Sequence, residues 1–288
     1  MFTKTYSQKL KKIKKIIDKA DYVLVGAGAG LSAAGGLDYG NKDIFKEKYS
    51  PFIKKGYKTI WDGLVDNWSV SQENKKSFWG YWANHINNIY YRANLTKPYE
   101  DLYELIKDKN YFIITTNCDG QFYKGNFDEK KIFAPQGSYA YFQCEKPCSE
   151  DAYNNKAMIE NMLSSFDEDK LIIEEEEVPI CPRCGRLLRP NLRVDDTFVD
   201  KPHLANIDEY YEFVESAMGH KIVLLELGVG FNTPGIIRFP FERMVKQLND
   251  ATLIRFNTTE HGIRKDIKDK IILIEYDIKQ SLEDLIKI

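Results

Sequence analysis

The sequence predicts the α/β class: a doubly wound parallel sheet that carries a smaller inserted module of helices and a zinc ribbon. Three observations predict it. Short β-branched apolar runs alternate with helical stretches, glycine-rich or polar clusters follow the runs at their carboxyl ends, and four of the five cysteines fall into two close pairs. Parallel strands buried on both faces read as continuous apolar runs, and such sheets bind ligands at their carboxyl edge. A chain of 288 residues, 43% hydrophobic, is long enough for one large α/β domain or one domain with an inserted module.

The elements follow in order. "KLKKIKKIIDKA" repeats Leu10, Ile13 and Ile17 at helical spacing, so its lysines form the solvated face of an N-terminal helix. "DYVLVGAGAGLSAAGGLDY", Asp21 to Tyr39, is a strand entering a loop dense in glycine and alanine. "PFIKKGYKTIWDGLV" and "SFWGYWANHINNIYYRA" read as two helices. The second spaces Phe78, Trp82, Ile86 and Tyr90 by four, an aromatic stripe for a core, with His85 a satisfied core histidine. "KPYEDLYELIKDKNYFIITTNCDGQF" gives a helix, a turn and a strand from Tyr111 to Thr116, and "KIFAPQG" is another short strand. A cysteine-bearing segment from about Tyr141 to Pro190 includes the acidic run Glu174 to Glu177, and "KIVLLELGVG", "ATLIRFN" and "KIILIEYD" supply three closing strands. The expected organisation is a Rossmann-like domain of residues 1–40, 98–140 and 191–288, with a helical insertion 41–97 and a zinc-ribbon insertion 141–190 forming a small domain over the carboxyl edge.

Composition narrows the function classes. A net charge of -2 argues against a dominant nucleic-acid surface. No apolar run approaches the ~18 residues needed to span a bilayer; even "IVLLELGVGF" is interrupted by Glu226. The N-terminus has neither a secretory apolar core nor transit-peptide character, which leaves the cytoplasm as the expected location.

Cys144 and Cys148, then Cys181 and Cys184 in "CPRCG", have the form of two zinc knuckles. Four thiolates fill a tetrahedral ion, so the expected metal is one structural Zn²⁺. "GAGAG", Gly26 to Gly30, misses Gly-x-Gly-x-x-Gly because Leu31 follows, yet its small residues let backbone N–H groups approach a diphosphate. Thr116-Asn117-Cys118-Asp119-Gly120 sets an amide and a carboxylate two residues apart at a strand end, either as site residues or as turn formers. Cys118 reads as a small buried filler. Arg193 and Asp195 face a ligand or close a salt-bridged loop.

The order "GAG…DY", "TTNCDGQF", "APQG", two cysteine pairs, "ELGVGFNTP" and "RFNTTE" resembles the sirtuins, NAD-dependent protein-modifying enzymes, from about Asp21 to Asp277. Ordinary sirtuins carry Gly-Ala-Gly-x-Ser, Pro-Asp-Phe-Arg, Thr-Gln-Asn-x-Asp-Gly-Leu-His, a His-Gly before the zinc pairs, and Gly-Thr-Ser. This chain departs at each point: its glycine loop ends in Leu37-Asp38-Tyr39-Gly40, Thr116 replaces Gln, Gln121-Phe122 replaces Leu-His, Gln136 replaces the His, and Gly228-Val229-Gly230 replaces Gly-Thr-Ser. "GAGAGLSAAGGLDY", "QGSYAYFQC", "CPRCGRLLRPNLRVDD" and "FVD" resemble the macrodomain-linked, class M microbial sirtuins. That resemblance implies a protein ADP-ribosyltransferase that uses NAD and acts on a lipoyl-carrying H-like protein. It also implies functional links to a macrodomain hydrolase that removes the mark and to a lipoate–protein ligase. Carried onto this chain, the catalytic set is Asn117, Asp119 and Gln136. The NAD-binding set adds Gly26, Ala27, Gly28, Ala29 and Gly30, with Asp38, Tyr39 and Thr116. Arg193, Gly228, Gly230, Phe231, Asn257 and Thr258 complete it.

The chemistry of Gln136 points the same way. Deacylation needs a base at a ribose hydroxyl, and an amide takes no proton at neutral pH. Cleavage of the nicotinamide bond develops oxocarbenium character, which needs orientation, fixed dipoles and excluded solvent more than a base. Two other readings stay open at this point: an NAD glycohydrolase, with water as acceptor, and an inactive module that binds NAD or ADP-ribose.

Overall fold

The computed structural model describes residues 4–258 and 264–288; Thr259 and Glu260, the end of the "RFNTTE" motif, lie outside them. The larger sheet has six parallel strands, β1 (Tyr22–Ala27), β2 (Asn110–Thr115), β3 (Ile132–Phe133), β7 (Ile222–Leu227), β8 (Ala251–Phe256) and β9 (Ile271–Ile274), in the order β3-β2-β1-β7-β8-β9. β1 lies between β2 and β7 with Tyr22 level with both Asn110 and Ile222. The chain therefore leaves β1 to build the sheet in both directions, and a crevice opens where the two directions part, at the carboxyl ends of these three strands.

Alternation along β1 assigns the layers. Val23 and Val25 pack under α1 (Lys4–Asp18), α2 (Ala29–Ala34), α6 (Lys97–Ile106) and α11 (Ile278–Ile286), among Leu10, Ile13, Ile17 and Leu282. Leu24 faces the other way, toward Phe213 of α9 (Ile207–Ser216) and Phe241 and Val245 of α10 (Arg238–Gln247). Glu226, the charge that interrupts the β7 run, is fully buried and takes two hydrogen bonds from Arg255 at 2.7 and 3.0 Å, while Arg255 also donates to Glu242 at 2.9 Å. A buried carboxylate is tolerated when paired in this way.

The smaller module joins α3 (Lys42–Lys48), α4 (Ile60–Asp66), α5 (Lys75–Ile86) and α8 (Lys156–Ser164) to an antiparallel sheet of β4 (Gly137–Cys144), β5 (Tyr153–Asn154) and β6 (Leu188–Leu192). Of the expected stripe Phe78, Trp82 and Ile86 are buried in the module core and Tyr90 is half-buried against it, together with buried Trp79, Tyr81 and Phe142. A short α7 (Gln121–Lys124) follows β2.

Two local expectations change. The stretch 51–65 is not one helix: a 3-10 turn over Ser50–Lys55 stops at Gly56, whose φ is +84°, and α4 restarts at Thr59. Thr59 and Asp62 form a capping box there, a signal present in "TIWD". In "KIFAPQG" the strand stops at Phe133. Pro135 has no N–H to continue a ladder, and Gly137, with φ of +105°, turns the chain into the second sheet.

Candidate active site

A cleft of about 560 Å³ lies between the carboxyl edge of the parallel sheet and the smaller module. On the sheet side it is built from two turns that interlock without side chains. Gly28 and Gly30, after β1, press on Gly228, after β7: a Cβ at Gly28 would stand 2.7 Å from the Gly228 carbonyl oxygen, and one at Gly30 would stand 2.7 Å from its Cα. Gly228 also has a φ of +61°. The Gly28 N–H donates to Leu227 O at 3.0 Å and the Gly30 N–H to Gly228 O at 2.9 Å. These two amides are engaged within the fold, while Gly28 and Gly30 themselves line the cleft. Gly26 and Ala27 do not line the cleft. Both lie inside β1, and the bare Cα of Gly26 accommodates Ile237 and Phe241 of the opposite layer.

Beneath the turns sits a buried polar cluster. Ser32 Oγ donates to Asp119 Oδ2 at 2.5 Å and accepts from Tyr99 OH at 2.7 Å. Asn117 Nδ2 lies 3.0 Å from Gly28 O, 3.1 Å from Ser32 Oγ and 3.0 Å from Tyr99 OH. The other Asp119 oxygen accepts the Gln121 N–H at 3.0 Å. With its Nδ2 engaged, Asn117 is left with an Oδ1 that has no protein partner among the described residues, and the residue lines the cleft. Burial pushes the Asp119 carboxyl above its ordinary range, although the Ser32 and Gln121 bonds oppose the shift. Asp119 does not itself line the cleft and so bears on it through Ser32 and Asn117.

The sequence reading missed Ser32, and the cause is a reading frame. "GAGAGLS" contains Gly-Ala-Gly-x-Ser from Gly28 to Ser32, two residues beyond the frame opened at Gly26. At this motif the chain does not depart from the sirtuin pattern.

The module side is different in kind. Gln136 Nε2 donates to Arg193 O at 2.9 Å, and the Arg193 N–H returns a bond to Gln136 O at 2.9 Å. Gln136 Oε1 is buried with no partner. Tyr39 and Tyr139 both line the cleft, their hydroxyls 2.9 Å apart, and Tyr139 OH meets His85 Nε2 at 3.2 Å. His85 Nδ1 lies 3.0 Å from Tyr49 OH, so both ring nitrogens are engaged, and burial lowers the His85 pKa to about 3. Trp61, Leu64, Trp68, Val70, Leu192 and Val194 add an apolar stretch to this wall.

The remaining expected residues divide. Ala29, Thr116, Gly228 and Gly230 line the cleft, with Asn232 and Thr233, which the sequence reading did not name. Asp38 bonds the Gly40 N–H at 2.9 Å and lies off the wall. Arg193 is also off the wall; its Nε donates to Pro135 O at 3.0 Å, and its guanidinium covers Phe198 and pairs with Asp200 at 3.6 Å. Asp195 does line the cleft, held by Arg189 through bonds of 2.8 and 2.9 Å, which keep its carboxyl well below the ordinary range. Phe231 lies 4.3 Å over Arg238, and Asn257 Nδ2 donates to Val229 O at 3.1 Å, bracing the Gly228–Gly230 turn. Thr258 is exposed at the end of β8. Cys118 is half-buried, with its thiol 3.8 Å from Gln136 O, and burial raises its pKa.

The sulfurs of Cys144, Cys148, Cys181 and Cys184 all lie within 4.8 Å of one another, with Cys144 to Cys184 and Cys148 to Cys181 each 3.6 Å apart. Thiolates bound to one tetrahedral Zn²⁺ at ~2.3 Å stand roughly 3.8 Å apart, so the four fit the ion. None of them lines the cleft.

Comparison with known proteins fits this architecture. No family model matches the chain. It is 29% identical over 269 residues to a protein ADP-ribosyltransferase of Staphylococcus aureus strain Mu50, covering 92% of this chain and 83% of the relative. It is 32% identical over 235 residues to a probable bifunctional ADP-ribose hydrolase/ADP-ribosyltransferase of Fusarium oxysporum f. sp. cubense, covering 80% of this chain but 39% of that longer relative. Among solved structures, a Sir2 homologue in complex with NAD superposes with a TM-score of 0.60 at 19% identity, over 96% of this chain and 92% of that one. A mutant Sir2 homologue bound to ADP-ribose gives 0.59 at 19% identity, over 96% and 95%. The fold is the sirtuin fold.

Proposed function

We propose that this sirtuin-like chain is an NAD-dependent protein mono-ADP-ribosyltransferase that releases nicotinamide and passes ADP-ribose to a protein side chain. The observation that carries the reading is Gln136. It occupies the place of the deacylase histidine in the motif order, its Nε2 is tied to Arg193 O, and its Oε1 is buried and unpartnered. An amide held in this way cannot act as a base, but it can accept a hydrogen bond from a ribose hydroxyl or from the acceptor. NAD supplies the ADP-ribose and a leaving group that departs neutral.

The chain's own residues then have separable roles. Asn117 orients the ribose and incoming nucleophile through its unpartnered Oδ1, and Asp119 fixes Asn117 through Ser32. Gln136 Oε1 receives a donor from the opposite side of the cleft. Gly228, Gly230, Asn232 and Thr233 hold the nucleotide end. Phenols at Tyr39 and Tyr139 stay neutral, since burial raises both pKa values, and close the reacting region from water. Zinc on the four cysteines braces the module and leaves no open coordination position.

The acceptor we favour is a lipoyl-carrying H-like protein, with a macrodomain hydrolase and a lipoate–protein ligase as functional partners. The apolar wall of Trp61, Leu64, Trp68 and Val70 supports an acceptor with an apolar arm. No helix among the described residues is long and apolar enough to cross a membrane. No disulfide links the five cysteines, which suits a reducing compartment, and we place the reaction in the cytoplasm. The test is incubation with labelled NAD and lipoylated or unlipoylated carrier protein. Label on the lipoylated carrier is expected; nicotinamide release with no labelled protein would overturn the reading in favour of water as acceptor.

A further inference from the structure

We infer that the acceptor protein docks on an aromatic lip formed by the outer face of α4 and the turn after it: Trp61, Val65 and Trp68. The inference rests on the transferase reading and adds the surface that selects the partner. Trp61 is 47% exposed, Val65 71% and Trp68 59%, whereas the other two tryptophans, Trp79 and Trp82, are buried at 0% and 5%. Exposing two of the side chains that gain most from burial, on one helix and the turn that follows it, marks an interaction surface.

Looseness does not explain the exposure. The inner face of α4 is fixed to the module core: Tyr81 OH donates to Ile60 O at 2.8 Å, and Gly63 admits the Tyr81 ring where a side chain would collide. The turn after the helix is fixed as well, since Trp82 Nε1 donates to Asn67 O at 2.8 Å and Asn67 Nδ2 to Gly63 O at 2.9 Å. Residues 61 and 65 stand one helical turn apart on the outer face. Neither Trp61 nor Trp68 has a protein partner for its indole N–H among the described residues, which leaves both donors to a partner's carbonyls. A rigid lip of this kind loses little entropy on binding.

Position identifies the occupant. Trp61 and Trp68 also line the cleft, and Trp61 packs edge-on against Tyr39 with ring centres 5.5 Å apart. A surface continuous with the reacting cavity is covered by whatever delivers the nucleophile to it. That occupant is the acceptor protein, presenting an apolar patch beside the residue it offers.

The test compares acceptor dependence with NAD dependence, using lipoylated H-like carrier as the first acceptor. Val65→Asp, which alters a side chain off the cleft wall, is expected to raise the acceptor KM by about tenfold or more, the scale of an interface anchor. Its KM for NAD, its acceptor-free nicotinamide release and its melting temperature are expected to match wild type. Trp68→Ala is expected to raise the acceptor KM at least as much. Unchanged acceptor KM in both variants, with wild type labelling the carrier, overturns the docking surface alone. A rise in the NAD KM equal to that for acceptor also overturns it, since the lip would then cover the nucleotide. Absence of any labelled protein with wild type overturns the transferase reading and this inference with it.

Discussion

The two walls of the cleft are made by opposite means. On the sheet side the polar groups are committed to one another: Ser32, Tyr99, Asn117 and Asp119 form one hydrogen-bonded cluster, and the amides of Gly28 and Gly30 close the turns above it. On the module side Tyr39, Tyr139 and His85 also bond one another, but Gln136 Oε1 is unpartnered and an apolar surface reaches into solvent at Trp61 and Trp68. The committed wall is rigid because its buried groups bond one another and leave Asn117 Oδ1 for the ligand. Its counterpart is where chemistry and partner can vary, since Gln136 Oε1 takes part in no bond that holds the fold.

Removing zinc tests whether the module wall survives without its staple. A strong chelator is expected to abolish transfer and alter the fluorescence of the buried Trp79 and Trp82, because structural zinc contributes folding energy directly, on the order of 10 kcal/mol. Fluorescence that does not move on loss of metal would mean that the aromatic core holds this wall alone. On the committed wall, Asn117→Ala is expected to lower kcat by about 10²–10³, the scale for losing one preorganised polar group. Unchanged KM for NAD would locate the loss in the transition state.

Gln136→Ala, on the module wall, is expected to cost about tenfold in kcat/KM, roughly one hydrogen bond, with a smaller loss in melting temperature than Asn117→Ala. Gln136→His sharpens the same comparison. Transfer is expected to fall, and deacylation of an acyl-lysine peptide to appear only if the histidine alone separated the two activities. The smallest effect is a pH dependence. His85 has a folded pKa of about 3, below its unfolded value. Its contribution is therefore present above pH ~6.5 and lost as pH falls toward about 3, amounting to ~2 kcal/mol by pH ~5. A denaturant midpoint that drops across this range in wild type, with a shallower drop in His85→Gln, is expected; equal slopes would reject His85 as the group responsible.

Much of this was legible in the sequence, and the exceptions have physical causes. The sheet strands could be read because burial on both faces leaves uninterrupted apolar runs, as in "YVLVGA". The zinc pairs could be read because metal geometry fixes their spacing. Ser32 was hidden because "GAGAG" supports two frames whose glycines serve different packing needs: Gly26 admits α10, while Gly28 and Gly30 admit the β7 turn. Arg193 and Phe231 read as ligands because they flank site motifs, but the fold turns them to Phe198 and Arg238. The aromatic lip escaped notice because Trp61 and Trp68 lie in an amphipathic stretch, and periodicity alone does not say which of its aromatics stay outside.

The glycine interlock has a use beyond architecture. The Gly30 N–H points at the Gly228 carbonyl across two turns that are far apart in the chain but touch where Gly28 and Gly30 meet Gly228 and Val229. Its proton exchanges with solvent only when those loops part. It is therefore a built-in gauge of cleft opening, readable by amide exchange without any label, and nucleotide that bridges the two turns is expected to slow it while leaving amides of the zinc ribbon unchanged.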